Sequence, residues 1–355
     1  MQSVTANGYT ISFNQNGYEA LNLLLQQNKY SGIYLLADSN TNEQCSTRLL
    51  QQIATDLPIE IIEIEAGEAT KTIDTCVEVW KVLTELNADR KSVIINLGGG
   101  VISDLGGFVA STFKRGIDFV HVPTTLLAMV DASIGGKNGV DLGSLKNQVG
   151  VINVPKMVLI DTSFLDTLPQ NEMRSGFAEM LKHGLIADRT YWERFLNLSS
   201  VDISELNSLI HRSVEIKNNI VLADPTENGI RKALNFGHTL GHAIESYFIE
   251  NADKETLLHG EAVAAGMILE SYLSMRLNLL SDAQYLAIKS VIKNIFPDIP
   301  VSEEDLAKVT KYLVHDKKNE YGQVQFALLD GIGQTKVGQT VENQLILDAF
   351  ADYKS

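Results

Sequence analysis

Two cysteines, Cys45 and Cys76, are all that the 355 residues contain. They stand 31 positions apart with no Cys-x-x-Cys pair. That excludes a disulfide framework and a cysteine-built zinc site, and it fits a reducing, cytoplasmic compartment. No run approaches the ~20 consecutive apolar residues of a membrane span, so no membrane partner is expected. Residues 1–18 mix Asn, Gln, Ser and Gly around no apolar segment, and no signal peptide is expected there. Positive charge is scarce as well: 29 Lys and Arg against 44 Asp and Glu leave a net −15. A nucleic-acid partner, which calls for a basic face, is therefore not expected. An anionic small molecule is still admitted, because a pocket can be locally basic inside an acidic protein. Internal repeats and low-complexity linkers are lacking too.

What remains is an ordinary globular composition, 45% apolar and 21% charged, long enough for about two domains at ~150 residues each. The two halves read differently. Residues 32–38, 59–64, 92–97, 119–123 and 157–161 are short apolar β-rich runs, with helical patterns between some of them, as over 75–86. Continuous apolar strands separated by helices point to a parallel sheet covered on both faces, the βαβ pattern of a nucleotide-binding domain. After Pro169 such runs nearly vanish. Residues 172–186, 203–221, 233–248 and 261–277 read as helices, with room for one small strand near 324–329. The expected fold is a Rossmann-like α/β domain over 1–168, followed by an all-α domain over 169–355.

Three stretches carry chemistry. The run 92–97 leads straight into Gly98-Gly99-Gly100 and a helical pattern. Such a turn lets a pyrophosphate approach the backbone at a helix N-terminus. Ser103 stands where G-x-G-x-x-G would have its third glycine, so a purely structural turn is the alternative. Asp38, at the end of an earlier strand, suits a ribose hydroxyl or a helix cap. The second stretch runs from Pro123-Thr124-Thr125 through Asp131 to Gly135-Gly136-Lys137, then Lys146-Asn147. It lacks the Walker spacing and reads equally as a lysine site for phosphate or as a solvated loop.

The third stretch is the most chemical. Glu179, Lys182 and His183 share one face of a helix at i, i+3 and i+4. His238 and His242 share another at i, i+4, and His259 opens a third helix. Four of only seven histidines fall here, which favours a metal site over scattered caps. From spacing alone, His238 and His242 are the expected pair of ligands. In the helix from Ile203, apolar residues recur at Ile203, Leu206, Ile210, Val214 and Val221, and Lys217 fills the gap in that stripe. A lysine there either snorkels to solvent or meets an anion. The cluster at 315–319 reads as a solvated turn.

The motifs GGGVISDLGGF (98–108), PTTLLAMVDASIGGKNGVD (123–141), LKNQVG (145–150), FAEMLKHG (177–184), RKALNFGHTLGHAIE (231–245), LHGEAVAAGM (258–267) and HDKKN (315–319) together resemble the 3-dehydroquinate synthase family of sugar phosphate cyclases. The match runs in order through most of the chain. Ser103 and Gly107 stand where the family commonly has Gly and Ala. The interval from His238 to His259 is a few residues longer than usual, as the polar stretch 250–256 would allow in a surface loop.

The resemblance implies NAD on the first domain, one divalent metal (zinc or cobalt) on the second, and an active site in the cleft between them. It makes Glu179, His238 and His259 the metal ligands and turns His242 into a phosphate contact and proton carrier. It puts NAD on Asp38, Glu68, Lys71, Gly100, Val101, Ile102, Ser103, Asp104, Thr124, Thr125, Lys137, Lys146, Phe164, Leu165, Asp166 and Thr167. Asp131, Lys137, Asn147, Lys182, Lys217, Arg231, Asn235, His242 and Lys317 match substrate positions. Of these, Lys182, Lys217, Arg231, Asn235 and His242 match catalytic ones. Arg115 matches a residue reaching into a neighbouring subunit, which implies a homodimer.

The implied reaction is carbon–oxygen lysis of a phosphorylated keto acid, 3-deoxy-D-arabino-heptulosonate 7-phosphate, to 3-dehydroquinate and phosphate. It proceeds by transient oxidation, elimination, re-reduction and aldol closure. Rival readings are a sister cyclase acting on a sugar phosphate without a carboxylate, a metal-dependent polyol dehydrogenase, and a binding protein without activity. The basic set around Arg231 favours the acid substrate.

Overall fold

A computed structural model describes residues 1–143, 145–196, 203–251, 253–313 and 324–354. The chain divides into two compact units, Met1–Met173 and Arg174–Ser355. The division falls inside a helix, Gln170–Ala187, a few residues beyond the break expected at Leu168-Pro169.

The first unit is built on a seven-stranded sheet. Its strands are β1 (Val4–Thr5), β2 (Thr10–Phe13), β3 (Ile33–Asp38), β4 (Ile59–Ile64), β5 (Val93–Gly98), β6 (Asp118–Pro123) and β9 (Met157–Ile160), in the order β1-β2-β9-β6-β5-β3-β4. All pairs are parallel except the edge hairpin β1–β2. β3 and β5 are buried along almost their whole length, as strands covered on both faces must be, whereas edge strand β4 buries only Ile62. On one face Tyr34, Leu36 and Ile94 pack against Cys76, Val79 and Leu83 of helix α2 (Ile73–Glu85) and Leu105, Phe108 and Val109 of helix α3 (Gly100–Thr112). Helix α1 (Asn14–Asn28) buries Leu21 and Leu25. Both cysteines are buried free thiols, and burial pushes them up to about 11 (Cys45) and about 12 (Cys76).

Residues 137–152, open between a loop and a phosphate site on sequence grounds, form an antiparallel hairpin of β7 (Lys137–Leu142) and β8 (Leu145–Ile152). Gly135 and Gly136 hold positive φ just before it, a turn that would strain a side-chain-bearing residue.

Among the described residues the second unit is helical apart from one hairpin, β10 (Phe326–Leu329) with β11 (Thr335–Gln339). Its longer helices are α4 (Gln170–Ala187), α5 (Ile203–Ala223), α6 (His238–Glu250), α7 (His259–Arg276), α8 (Asp282–Ile295), α9 (Glu303–Tyr312) and α10 (Asn343–Tyr353). The last three were not read from the sequence. A Ser281–Gln284 capping box starts α8 and a Ser302–Asp305 box starts α9. α7 is buried almost all round, which marks it as the central helix of its unit.

The helix expected over 233–248 is two pieces. A 3-10 turn, Ile230–Asn235, ends before Gly237, and α6 begins at His238. Gly237 has φ 79, and a Cβ there would lie 2.6 Å from Met267 Cγ. A Cβ on Gly266 would lie 1.9 Å from the Gly237 carbonyl oxygen. Gly237, Gly266 and Gly241, whose Cβ would lie 2.9 Å from the Ala262 carbonyl oxygen, let α6 and α7 approach backbone to backbone there.

Candidate active site

In the first unit the glycine turn is a close-packed device. Gly98 ends β5 against the side chain of Ile102, and a Cβ there would lie 2.6 Å from Ile102 Cβ. Gly99 then precedes α3 with extended ψ and no side-chain cap. The first-turn N–H groups of Gly100 and Val101 are thus not taken by a capping side chain. Ile102 and Ser103 are buried.

Asp104, one turn into α3, accepts from Lys71 Nζ at 2.7 Å. Lys71 in turn lies 3.9 Å from Glu68, and Lys146 lies 3.2 Å from the same Glu68 oxygen. Burial works against a charged Lys71, yet Asp104 and Glu68 outweigh it and raise its pKa. Four of the expected cofactor residues thus form one charged network. Asp38 caps the turn after β3, its Oδ1 accepting from Thr41 N–H at 2.9 Å. The Thr124 N–H donates to the Gly98 carbonyl, and Thr125 Oγ1 accepts from Ala128 N–H. Phe164 and Leu165 are buried in the turn Thr162–Thr167, with Asp166 and Thr167 exposed beside them. Asp166 pairs with Arg48 at 3.5 Å. Lys137, Asn147 and Arg115 are exposed, and Asp131 is half-buried. Asn147 (φ 51) donates its N–H to Asp141 Oδ1, and Arg115 (φ 69) sits in a left-handed turn.

In the second unit α4 carries Glu179 and Lys182 into the interior, where they form an ion pair with both side chains buried. His183 Nδ1 lies 2.7 Å from Ser213 Oγ on α5, and one of its ring nitrogens lies within 4.8 Å of a Glu179 carboxylate oxygen. His238 and His259, each the first residue of its helix, bring Nε2 to 3.5 and 3.9 Å from Glu179 Oε1. Each uses its other nitrogen as an anchor. His238 Nδ1 lies 3.2 Å from the Phe236 carbonyl, and His259 Nδ1 lies 3.3 Å from the buried Glu245 carboxylate. Both anchors fix the tautomer that leaves Nε2 with a lone pair. The His242 ring centroid is 5.0 Å from that of His238 and 5.6 Å from that of His259.

This arrangement fits a divalent cation. Neither oxygen of the buried Glu179 carboxylate accepts a well-formed hydrogen bond among the described residues. Ligand atoms ~2.0–2.1 Å from a tetrahedral zinc stand roughly 3.3–3.5 Å apart, close to the spacing found here. The nitrogens of His238, His242 and His259 also lie within 4.8 Å of one another. The pair expected from spacing and the trio implied by the resemblance therefore meet at one place.

Lys217 does not snorkel: it is 5% exposed on α5, beside the buried Ser213, Val214 and Asn218. Arg231 is buried too, its Nη1 donating to the Pro225 carbonyl at 2.7 Å. Asn235 Nδ2 donates to Glu227 Oε1 at 3.1 Å. Lys317 lies outside the described residues. Two carboxylates were missed. Glu245 anchors His259, and the buried Glu270 of α7 accepts the N–H groups of Gly237 (2.7 Å) and Leu240 (3.0 Å), capping the helix that His238 begins. The available signal was an acid inside an otherwise apolar helix, since Glu270 sits amid Met267, Ile268, Leu269 and Leu273.

A glycine-turn α/β unit followed by a helical unit with a carboxylate–histidine cluster defines the class, a dehydroquinate-synthase-like fold. The 3-dehydroquinate synthase N-terminal model matches residues 61–175, and the C-terminal model matches 176–319. A 3-dehydroquinate synthase of Parabacteroides distasonis is 40% identical over 328 residues, 92% of each chain. One from Alkaliphilus oremlandii is 35% identical over 98% of this chain and 95% of that one. The solved 2-epi-5-epi-valiolone synthase of Streptomyces hygroscopicus, with NAD+ and Zn2+ bound, superposes with TM-score 0.87 at 25% identity, covering 100% of this chain and 99% of that one. The chain belongs to the 3-dehydroquinate synthase family.

Proposed function

We propose that this chain is a 3-dehydroquinate synthase. It converts 3-deoxy-D-arabino-heptulosonate 7-phosphate to 3-dehydroquinate and phosphate in the shikimate pathway, using NAD and one divalent metal. The observation that carries the reading is the convergence of His238 and His259 on buried Glu179 beside Lys182, in a chain of this family. When bound, NAD supplies a hydride acceptor and donor, and the metal supplies Lewis-acid polarisation of a hydroxyl.

The chain's own residues divide the remaining work between the two units. In residues 1–168, the uncapped start of α3 receives the pyrophosphate. Asp38 orients a ribose hydroxyl, and the network Glu68–Lys71–Asp104–Lys146 lines the cofactor. In residues 169–355, Glu179, His238 and His259 hold the metal. Lys182, Lys217 and Arg231 offer charge-assisted donors to the substrate's carboxylate and phosphate, and their burial makes those donors stronger than surface lysines would be. Asn235 orients the substrate, and His242 holds the proton that moves at the leaving phosphate. Asp131, Lys137, Asn147 and Lys317 complete the substrate contacts. Arg115, exposed in its strained turn, is assigned to the neighbouring subunit of a homodimer, whose state sedimentation would read. A cytoplasmic location belongs to the same reading, supported by two free thiols.

The test is one incubation of the purified protein with NAD, Zn2+ and the heptulosonate phosphate, following phosphate and NADH together. Phosphate release without net NADH is expected. Accumulating NADH would mean a dehydrogenase, and turnover only of a sugar phosphate lacking a carboxylate would mean a sister cyclase.

A further inference from the structure

Beneath the glycine-started helix of the first unit lies a chain of uncharged polar side chains. Asn96 on β5 and His121 on β6 are register partners, both buried, with Asn96 Nδ2 3.3 Å from His121 Nδ1. His121 also faces Asn138 on β7, whose side chain favours the protonated form of the ring. Asn138 Nδ2 already donates to the carbonyls of Gly136 (3.0 Å) and Asn153 (2.7 Å), which leaves its oxygen as the acceptor. Since Asn96 Nδ2 can only donate, Nδ1 accepts from it and the neutral ring is the Nε2–H tautomer, with Asn138 on its other side.

The helix is notched to fit this chain. A Cβ on Gly106 would lie 2.1 Å from Asn96 Oδ1, and a Cβ on Gly107 would lie 1.9 Å from Asn138 Oδ1. Ser111 of the same helix donates to the Gly107 carbonyl at 2.6 Å and accepts from Asn153 Nδ2 at 2.9 Å. Thus β5 and β7, which do not pair as strands, meet through these side chains beneath α3, and Ser111 ties that helix to the end of the hairpin. Towards the turn of the hairpin the tie is ionic instead, through Lys146, Glu68, Lys71 and Asp104. An interior that needed only stability would fill such a volume with apolar groups at lower desolvation cost.

We propose that Asn96, His121 and Asn138 are positioning residues for the cofactor. They hold the hairpin that carries Lys137 and Lys146 in one register against the helix whose N-terminus receives the pyrophosphate. Gly106 and Gly107 are the complementary half of the device. The proposal rests on the reading of this unit as the NAD domain.

The test uses the full-length, zinc-loaded protein and two substitutions. His121→Leu removes both hydrogen bonds and strands two buried amides; His121→Gln keeps a donor and an acceptor. For His121→Leu, NAD affinity measured by calorimetry is expected to fall about tenfold. Hydrogen exchange of 137–152 should quicken, with zinc content unchanged. For His121→Gln both NAD affinity and protection should return towards the native values. If His121→Leu lowers Tm but leaves NAD affinity and hairpin protection native, the chain is merely structural and the proposal fails. Should His121→Leu not fold, Asn138→Ser severs the same chain and carries the same expectations. Native protein that binds no NAD would overturn the cofactor reading and with it this role, an outcome distinct from equal binding by native and variant.

Discussion

His121 in the first unit and His238 in the second are both buried, yet they are set in opposite ways. His121 has an amide on each side and no carboxylate within hydrogen-bond reach among the described residues, and burial pushes its pKa down to about 3. His238 gives one nitrogen to a backbone carbonyl and turns the other towards a buried carboxylate. The first arrangement spends both nitrogens on holding elements together. The second leaves one lone pair aimed at a shared point, with His259 aimed at the same point. A histidine's role is thus decided by what its second nitrogen faces, and that depends on the neighbouring element.

The contrast can be broken or sharpened by substitution. Glu179→Ala removes the point on which the second unit converges. It strands buried Lys182 and should cost about 3–5 kcal/mol of stability, with loss of bound zinc. Denaturant unfolding and metal analysis after chelator dialysis measure both, and full zinc occupancy would refute the ligand set. Lys217→Ala should lower kcat/KM by about 10- to 100-fold while the fold persists, because the lost contact is a charge-assisted one to substrate. An unchanged kcat/KM at unchanged Tm would remove Lys217 from the site. Glu245→Gln keeps a hydrogen-bond acceptor on His259 but removes its charge, and zinc affinity should weaken by about tenfold in chelator competition.

The smallest effect separates the two kinds of histidine by pH. The unfolded chain protonates His121 near 6.5, whereas the folded chain resists protonation down to about 3. In that window the unfolded state binds more protons, so stability falls as pH drops from 6.5 towards 3. His121→Gln should lessen that loss, read as a smaller difference between urea midpoints at pH 7 and pH 4.5 than in the native protein. Equal pH dependence in both would mean that His121 titrates normally.

Much of the first unit was legible, because continuous apolar runs report strands buried on both faces. The runs at 32–38 and 92–97 overlap strands Ile33–Asp38 and Val93–Gly98 to within a residue at each end, and the glycine triplet lies where strand becomes helix. The hairpin of 137–152 was not legible. Its exposed strand carries the polar run Lys146-Asn147-Gln148 and Gly150, a composition shared with loops, and it is held by Asn138 and Asn153 contacts far away in sequence. In the second unit the four long helices showed their period. The break before His238 did not, since Gly237 reads as a tolerated helix glycine until Glu270, 33 residues later, is seen to cap the restart.

The sequence alone determined the layout and the stock of reactive groups: a βαβ half with a glycine turn, then a helical half with glutamate, lysine and histidines at helical spacing. Periodicity and turn chemistry are local properties, and neighbouring residues are enough to express them. Only the tertiary structure decided which atoms meet. The glycine contacts that draw α6 and α7 together bring His238 and His259 onto Glu179 of a third helix, and Glu245 and Glu270 fix the angles at which they arrive. Those contacts join side chains tens of residues apart, so they depend on how helices pack and not on the period of any one of them.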